Sequence, residues 1–368
     1  MSLVPVRDDL NALEGYHSPQ VDVRVRLNTN ESPSEPPAAW RDALAAEVSR
    51  IEWHRYPDRA ATALREAIAA LHGVDPAQVF AANGSNEVLQ TLLLTYAGPG
   101  RRVATFEPTY QLHAHIARLT GATVVETARA HDFSLDLGAA LAAVREARPT
   151  VTFVCSPNNP TGLVEPRSNV EALLAAVREV SGLLVVDEAY AQFAPWSALD
   201  LVSDDAPLVV TRTFSKTWSM AAARLGYLVG PRWLVAELDK VTLPYHLDTA
   251  KQIAGRLALR YADDMGERVA DIVAERERII AALVSLDVDV VPSGANFVLF
   301  RPRSLPGRAV WQGLLDQSVL IRDCSSWPRL ADCLRVTVGT PAENDEFLTA
   351  LTATLATGPA STTVEEPS

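Results

Sequence analysis

Lys216 sits in the segment Thr213-Phe214-Ser215-Lys216, with Arg224 following it and Asp187-Glu188-Ala189-Tyr190 preceding it. An amine, a hydroxyl, a guanidinium, a carboxylate and a phenol are thereby grouped around the ends of two apolar runs, 183–186 and 208–211. A lysine amine held partly out of water is nucleophilic near neutral pH and can condense with an aldehyde. A carboxylate that ends a buried strand is costly unless it meets a cation, and a protonated pyridine nitrogen is such a cation. Hydroxyl and guanidinium groups bind phosphate. These are the groups that pyridoxal phosphate chemistry requires: a Schiff-base amine, an acid for the ring nitrogen and donors for the phosphate.

Each residue also has a plainer reading. A lysine after an apolar stretch is ordinarily a solvated surface residue, and Asp187 could simply cap the segment that follows it. Asn158-Asn159-Pro160-Thr161-Gly162 is ordinarily a turn, while Asn159, like Tyr190, could reach a ring oxygen. Gly84-Ser85-Asn86 opens a helix whose free N–H groups and dipole suit an anion; a plain cap is the alternative. Tyr110, in Pro108-Thr109-Tyr110, follows a strand end and could stack on a cofactor ring or belong to the core.

Those residues need a scaffold. Short apolar strands are expected at 103–106, 123–126, 151–154, 183–186, 208–211 and 225–229, with helices through 108–119, 137–146 and 169–180 among them. Continuous apolar strands spaced by helices indicate a mostly parallel sheet covered on both faces, and such sheets place ligands at the carboxyl ends of their strands. Asn159, Asp187, Ser215 and Lys216 all lie just past strand ends. Further helices are expected at 37–50, 62–72 and 87–96, and a long helix, or two abutting ones, over 257–286. Strands at 295–300 and 334–338 follow it. Residues 1–35 read as an N-terminal arm, 36–250 as a large domain, 251–356 as a smaller C-terminal domain, and 357–368 as a polar, disordered tail.

The composition sets outer limits. At 368 residues two domains are expected, and 48% hydrophobic with 21% charged residues is a soluble globular balance. A net charge of −12 argues against non-specific binding to nucleic acid or to an anionic membrane. Cys155, Cys324 and Cys333 form no CxxC pair, so no disulfide framework and no metal site is expected, and a reducing cytoplasm fits. No apolar run approaches the ~18 residues of a membrane helix, and Met1–Asp9 lacks an apolar signal core.

In its motifs the chain resembles the fold-type I pyridoxal-phosphate aminotransferases, and within them the histidinol-phosphate aminotransferase family, over about residues 10–355. The resemblance is carried by Leu27-Asn-Thr-Asn-Glu-Ser-Pro33, His54-Arg-Tyr-Pro-Asp58, Ala82-Asn-Gly-Ser-Asn-Glu87, Pro108-Thr-Tyr110 and Ser156-Pro-Asn-Asn-Pro-Thr-Gly162. It continues through Val186-Asp-Glu-Ala-Tyr190, Ser215-Lys216 with Arg224-Leu-Gly226, Leu243-Pro-Tyr-His246 and Cys333-Leu-Arg-Val-Thr-Val-Gly339. The fold it implies is α/β: a mostly parallel seven-stranded sheet flanked by helices, a smaller α+β C-terminal domain and an N-terminal arm. It implies that Lys216 holds the cofactor, Asp187 pairs with its ring nitrogen, Asn159 and Tyr190 hold its ring oxygen, and Tyr110 stacks on it. Gly84, Ser85, Asn86, Ser215 and Arg224 would take the cofactor phosphate, and Tyr56 would reach the phosphate of a second subunit in a homodimer with shared sites. Arg335, Arg322, Tyr16, Tyr245 and Asn159 would meet the substrate. Two positions depart from the family pattern: Ala222 stands where glycine is common, and Trp218 where a smaller aromatic is usual.

The activity implied is reversible amino transfer between L-histidinol phosphate and 2-oxoglutarate, in histidine biosynthesis. Aromatic amino-acid transamination is the nearest alternative, because exchanging one ring for another often discriminates by only ~1–3 kcal/mol. A decarboxylase of O-phosphoamino acids is a more distant one. A pyridoxal-phosphate-binding sensor would carry a basic DNA-binding module, for which the N-terminal arm is too short.

Overall fold

The computed structural model describes residues 4–10, 15 and 21–357. Within them lie twelve strands: β1 (Val25–Leu27), β2 (Val79–Ala82), β3 (Arg102–Glu107), β4 (Thr123–Ala128), β5 (Val151–Cys155), β6 (Leu183–Asp187), β7 (Leu208–Thr213), β8 (Gly226–Val229), β9 (Val288–Val290), β10 (Phe297–Pro302), β11 (Val319–Asp323) and β12 (Leu334–Thr337). β2 to β8 form a seven-stranded sheet in the order β2-β8-β7-β6-β5-β3-β4. Its neighbours pair in parallel except at β8, which runs antiparallel to β7 and β2. This is the mostly parallel sheet that the apolar runs predict.

The alternation of side chains along the strands fills two cores. Leu183 and Val185 of β6 face one layer with Phe153, Leu89 and Leu92, whereas Leu184 and Val186 face the other with Phe106, Leu173 and Val177. β5, β6 and β7 are buried from end to end, so continuous Val and Leu runs are what a sheet covered on both faces demands.

A second sheet of five strands has the order β1-β11-β12-β10-β9. β1, within the N-terminal arm, pairs in parallel with β11, Val25 opposite Val319 and Leu27 opposite Ile321. The helices Ala262–Val284 and Pro341–Thr357 pack on this sheet, with Ile279, Leu283, Phe297, Phe300 and Phe347 in its core. Several elements fall outside the sequence expectation. β1, β2, β9 and β11 are three to five residues long, too short to show a period, and half of β2 is alanine. The helix Arg232–Val241 also escaped it, as did most of Thr249–Ala258; the stretch expected at 257–286 as one helix or two abutting ones is the end of that helix, a 3-10 turn at Leu259–Tyr261 and the helix Ala262–Val284. No helix among the described residues is long and apolar enough to cross a membrane.

Candidate active site

A cavity of about 400 Å³ lies at the carboxyl ends of β5, β6 and β7. Arm residues 28–31 and Trp327, on the loop between β11 and β12, form its other walls. Of the residues singled out from the sequence, Ser85, Asn86, Tyr110, Asn159, Asp187, Tyr190, Ser215, Lys216, Arg224 and Arg335 line it together.

Lys216 leaves the end of β7 through a turn, and its Nζ donates to the carbonyl of Thr29 at 3.0 Å. It lies 5.8 Å from the centre of the Tyr190 ring. Burial, reinforced by the positive charges of Arg335 and Arg224 and opposed by Glu31, lowers its pKa to about 7. Desolvation disfavours the ammonium form, so much of this amine is neutral and nucleophilic at neutral pH.

Asp187 ends β6 and is 2% exposed. Its Oδ2 meets His113 Nε2 at 2.8 Å, and its Oδ1 accepts from the Ala189 N–H at 3.2 Å. His113 belongs to the helix Leu112–Leu119 and lies flat on Phe153, ring centres 4.4 Å apart. The carboxylate is therefore held from behind by an imidazole while its edge faces the cavity. Sequence reasoning missed His113: one histidine on an apolar helix face gives no signal of its own, and only the packing of that helix on β3 and β4 lets its ring reach Phe153 and Asp187.

At the opposite wall, Arg335 of β12 donates to Asn159 Oδ1 at 2.6 Å and to the Asn28 carbonyl at 3.0 Å. Its Nε is buried without an acceptor. Its guanidinium lies 5.1 Å from the Phe297 ring and 6.0 Å from Trp327. Arg322 of β11 is the direct cross-strand partner of Arg335 and stands 5.4 Å from the same indole. Arg322 is buried behind the wall rather than part of the lining. Trp327 and the Asn28–Asn30 backbone were not singled out from the sequence, because nothing local marks a loop tryptophan or three backbone groups as facing a cavity.

The remaining corner is shaped for an anion. The helix Gly84–Tyr96 starts there with Gly84 at φ +80. A Cβ on Gly226 would sit 2.3 Å from the Ser85 nitrogen, and one on Gly84 would sit 3.1 Å from the Arg224 guanidinium. Glycine at both positions lets β8 and the helix start close around a small space, with free helical N–H groups directed into it. Arg224 Nη1 donates to Ser215 Oγ at 3.4 Å, and the Tyr110 hydroxyl donates to Asn86 Oδ1 at 3.3 Å. The narrow cradle, the half-buried amine and the carboxylate between them fit the phosphate, aldehyde and ring nitrogen of pyridoxal phosphate.

Tyr56 and Tyr245 do not line the cavity; their rings stack on each other at the surface, centres 4.5 Å apart. Gly84 shapes the helix start without lining the cavity itself. Tyr16 lies outside the described residues.

The family description "Aminotransferase class I and II" matches residues 23–351. The chain is 47% identical to the histidinol-phosphate aminotransferase of Thermobifida fusca, covering 95% of each chain, and 46% identical to that of Frankia casuarinae, covering 96% of this chain and 90% of the relative. Its fold is similar to that of the histidinol-phosphate aminotransferase of Sinorhizobium meliloti in complex with pyridoxal-5'-phosphate, with a TM-score of 0.87, 25% identity, and coverage of 97% of this chain and 99% of that one. Pyridoxal phosphate is the cofactor of this family. With the residues for it gathered in one cavity and the likeness running through nearly the whole chain, the protein belongs to the class I and II aminotransferases, in their histidinol-phosphate aminotransferase branch.

Proposed function

We propose that the protein moves an amino group between L-histidinol phosphate and 2-oxoglutarate, giving imidazole-acetol phosphate and L-glutamate. The observation that carries this reading is the arginine pair. Arg322 and Arg335 are directly opposite across β11 and β12, both buried, and share one indole. Arg335 lines the cavity and Arg322 lies directly behind it, so the pair makes that wall positive and suits it to a dianion. A phosphate monoester asks for two cations where a carboxylate is satisfied by one bidentate guanidinium. Histidinol phosphate has no α-carboxylate, so its phosphate takes the place that glutamate's carboxylate takes in the second half of the cycle.

When bound, pyridoxal phosphate supplies a ring that withdraws the charge developing at the substrate Cα. The chain's own residues do the rest. Asp187, oriented by His113, holds the ring nitrogen. Tyr190 and the amide N–H groups of Asn159 hold the ring oxygen, and Tyr110 covers one face. Ser85, Asn86, Ser215 and Arg224 take the cofactor phosphate. Lys216 carries the proton to and from the substrate Cα, as an amine with a pKa of about 7 can do in both directions. The stacked Tyr56 and Tyr245, with the exposed Trp53 and Leu243, support a homodimer in which Tyr56 reaches the partner's cofactor phosphate and Tyr245 the substrate. Residues 1–35, 36–250 and 251–356 serve as arm, large domain and small domain.

The test is an absorbance titration of the purified protein loaded with pyridoxal phosphate. Histidinol phosphate is expected to bleach the visible band at far lower concentration than phenylalanine. Comparable bleaching by both would make the protein a broad aromatic aminotransferase.

A further inference from the structure

Asn30 stands at φ 54, a backbone conformation that asparagine and glycine adopt far more readily than other residues. It is 1% exposed, and both its backbone and its side chain are tied down. Its backbone N–H donates to Thr337 Oγ1 at 2.9 Å, the Thr337 hydroxyl donates to Asn30 Oδ1 at 3.1 Å, and Asn30 Nδ2 donates to the Tyr190 hydroxyl oxygen at 3.0 Å. The three residues come from separate parts of the chain: Asn30 from the segment after β1, Thr337 from β12 of the five-stranded sheet, and Tyr190 from the turn after β6 of the seven-stranded sheet.

The direction of this relay follows from what each atom can do. A backbone N–H can only donate, so it occupies a lone pair of the Thr337 oxygen. The hydrogen of Thr337 then has the amide oxygen of Asn30 as its acceptor. With the amide reversed, Thr337 would face two donors and its own hydrogen would have no acceptor inside buried packing, a loss that the observed orientation avoids. The amide nitrogen is thereby aimed at Tyr190, and it too can only donate. The Tyr190 oxygen accepts there, and its single hydrogen is turned away from Asn30, toward the cavity that Tyr190 lines. The Tyr190 ring is buried and packs edge-on against Phe297, ring centres 5.1 Å apart.

We propose that Asn30 and Thr337 are positioning residues that fix the direction of the Tyr190 hydroxyl, so that its hydrogen is presented to the cofactor's ring oxygen before the cofactor arrives. The inference rests on the reading that Tyr190 meets that oxygen. Burial also raises the Tyr190 phenol to about 12, which keeps the hydrogen in place throughout the working pH range.

The experiment uses full-length protein loaded with pyridoxal phosphate and reads the pH midpoint of its visible absorbance change, without turnover. A hydrogen bond to the ring oxygen stabilises its charged form, so losing that bond raises the midpoint, by about one unit for Tyr190→Phe. Asn30→Asp offers only acceptors and pulls the phenol hydrogen away from the cavity; it is expected to raise the midpoint as Tyr190→Phe does, and to add nothing when combined with it. Thr337→Val frees the amide to turn and is expected to raise the midpoint, whereas Thr337→Ser keeps the relay and leaves it unchanged. The proposal is overturned if Asn30→Asp shifts the midpoint as much in the Tyr190→Phe background as in the wild type, since that is a plain charge effect. It is equally overturned if Thr337→Val leaves the midpoint where it was, and this second arm stands even if Asn30→Asp does not fold. A wild-type protein that takes up no pyridoxal phosphate would sink the cofactor reading itself, a different outcome from either.

Discussion

The amine of Lys216 is depressed to about 7 by burial and two nearby cations, and that has a consequence for stability as well as reactivity. In the unfolded chain a lysine keeps its proton up to about 10.4. Between about 7 and 10 the unfolded state therefore binds the extra proton, and the stability of the cofactor-free protein rises with pH across that window; below it the burial penalty is fully present. Lys216→Met is expected to flatten that slope, as urea midpoints at pH 7 and 10 would reveal; an unchanged slope would mean that the amine is not desolvated. Lys216→Ala should abolish turnover. Arg322→Ala removes a positive charge from behind Arg335 and should weaken histidinol phosphate, while changing the KM for glutamate much less. Equal losses for both substrates would remove its assigned role. Lys216 was readable in the sequence because it stands in a short motif just after a strand, and Arg322 only through the family resemblance. His113, Trp327 and Asn30 were not, because their roles come from what packs against them.

Among the elements, the approach of β8 to the helix Gly84–Tyr96 decides whether the anion corner exists. A Cβ at Gly226 would meet the backbone of Gly84 and Ser85 at 2.3 to 2.9 Å, and backbone cannot step aside as a flexible side chain can. Gly226→Ala is expected to cost about 1–3 kcal/mol of stability through overpacking and to release pyridoxal phosphate more readily. Thermal unfolding with and without cofactor measures both; a normal Tm with normal cofactor retention would show that the corner tolerates the methyl group. The long apolar runs of β5, β6 and β7 announced themselves as buried parallel strands. The four short strands did not, since a pattern of period two needs more residues than they have, and β1 finds its partner almost the whole chain away at β11.

On the scale of the whole molecule, the exposed Tyr56–Tyr245 stack is the feature that a single chain leaves unexplained. If Tyr56 serves the neighbouring subunit, a Tyr56→Ala protein and a Lys216→Ala protein, each impaired alone, should recover activity when mixed under conditions that exchange subunits. Mixed dimers then contain one site with both groups intact. No recovery despite demonstrated exchange would mean that each subunit completes its own site.

The sequence by itself determined the class of fold and the chemistry, because the lysine, the aspartate and the glycine-bounded helix start, each open to a plainer reading alone, stand in motifs that occur in the order of one family. Tertiary structure alone decided how those groups are controlled. The pKa of Lys216 depends on burial and on Arg335 and Arg224, the set of Asp187 on His113, and the direction of the Tyr190 hydroxyl on Asn30 and Thr337. Charge, desolvation and hydrogen-bond direction act across a few ångströms of space, and no spacing along the chain encodes which remote residue will fill that distance.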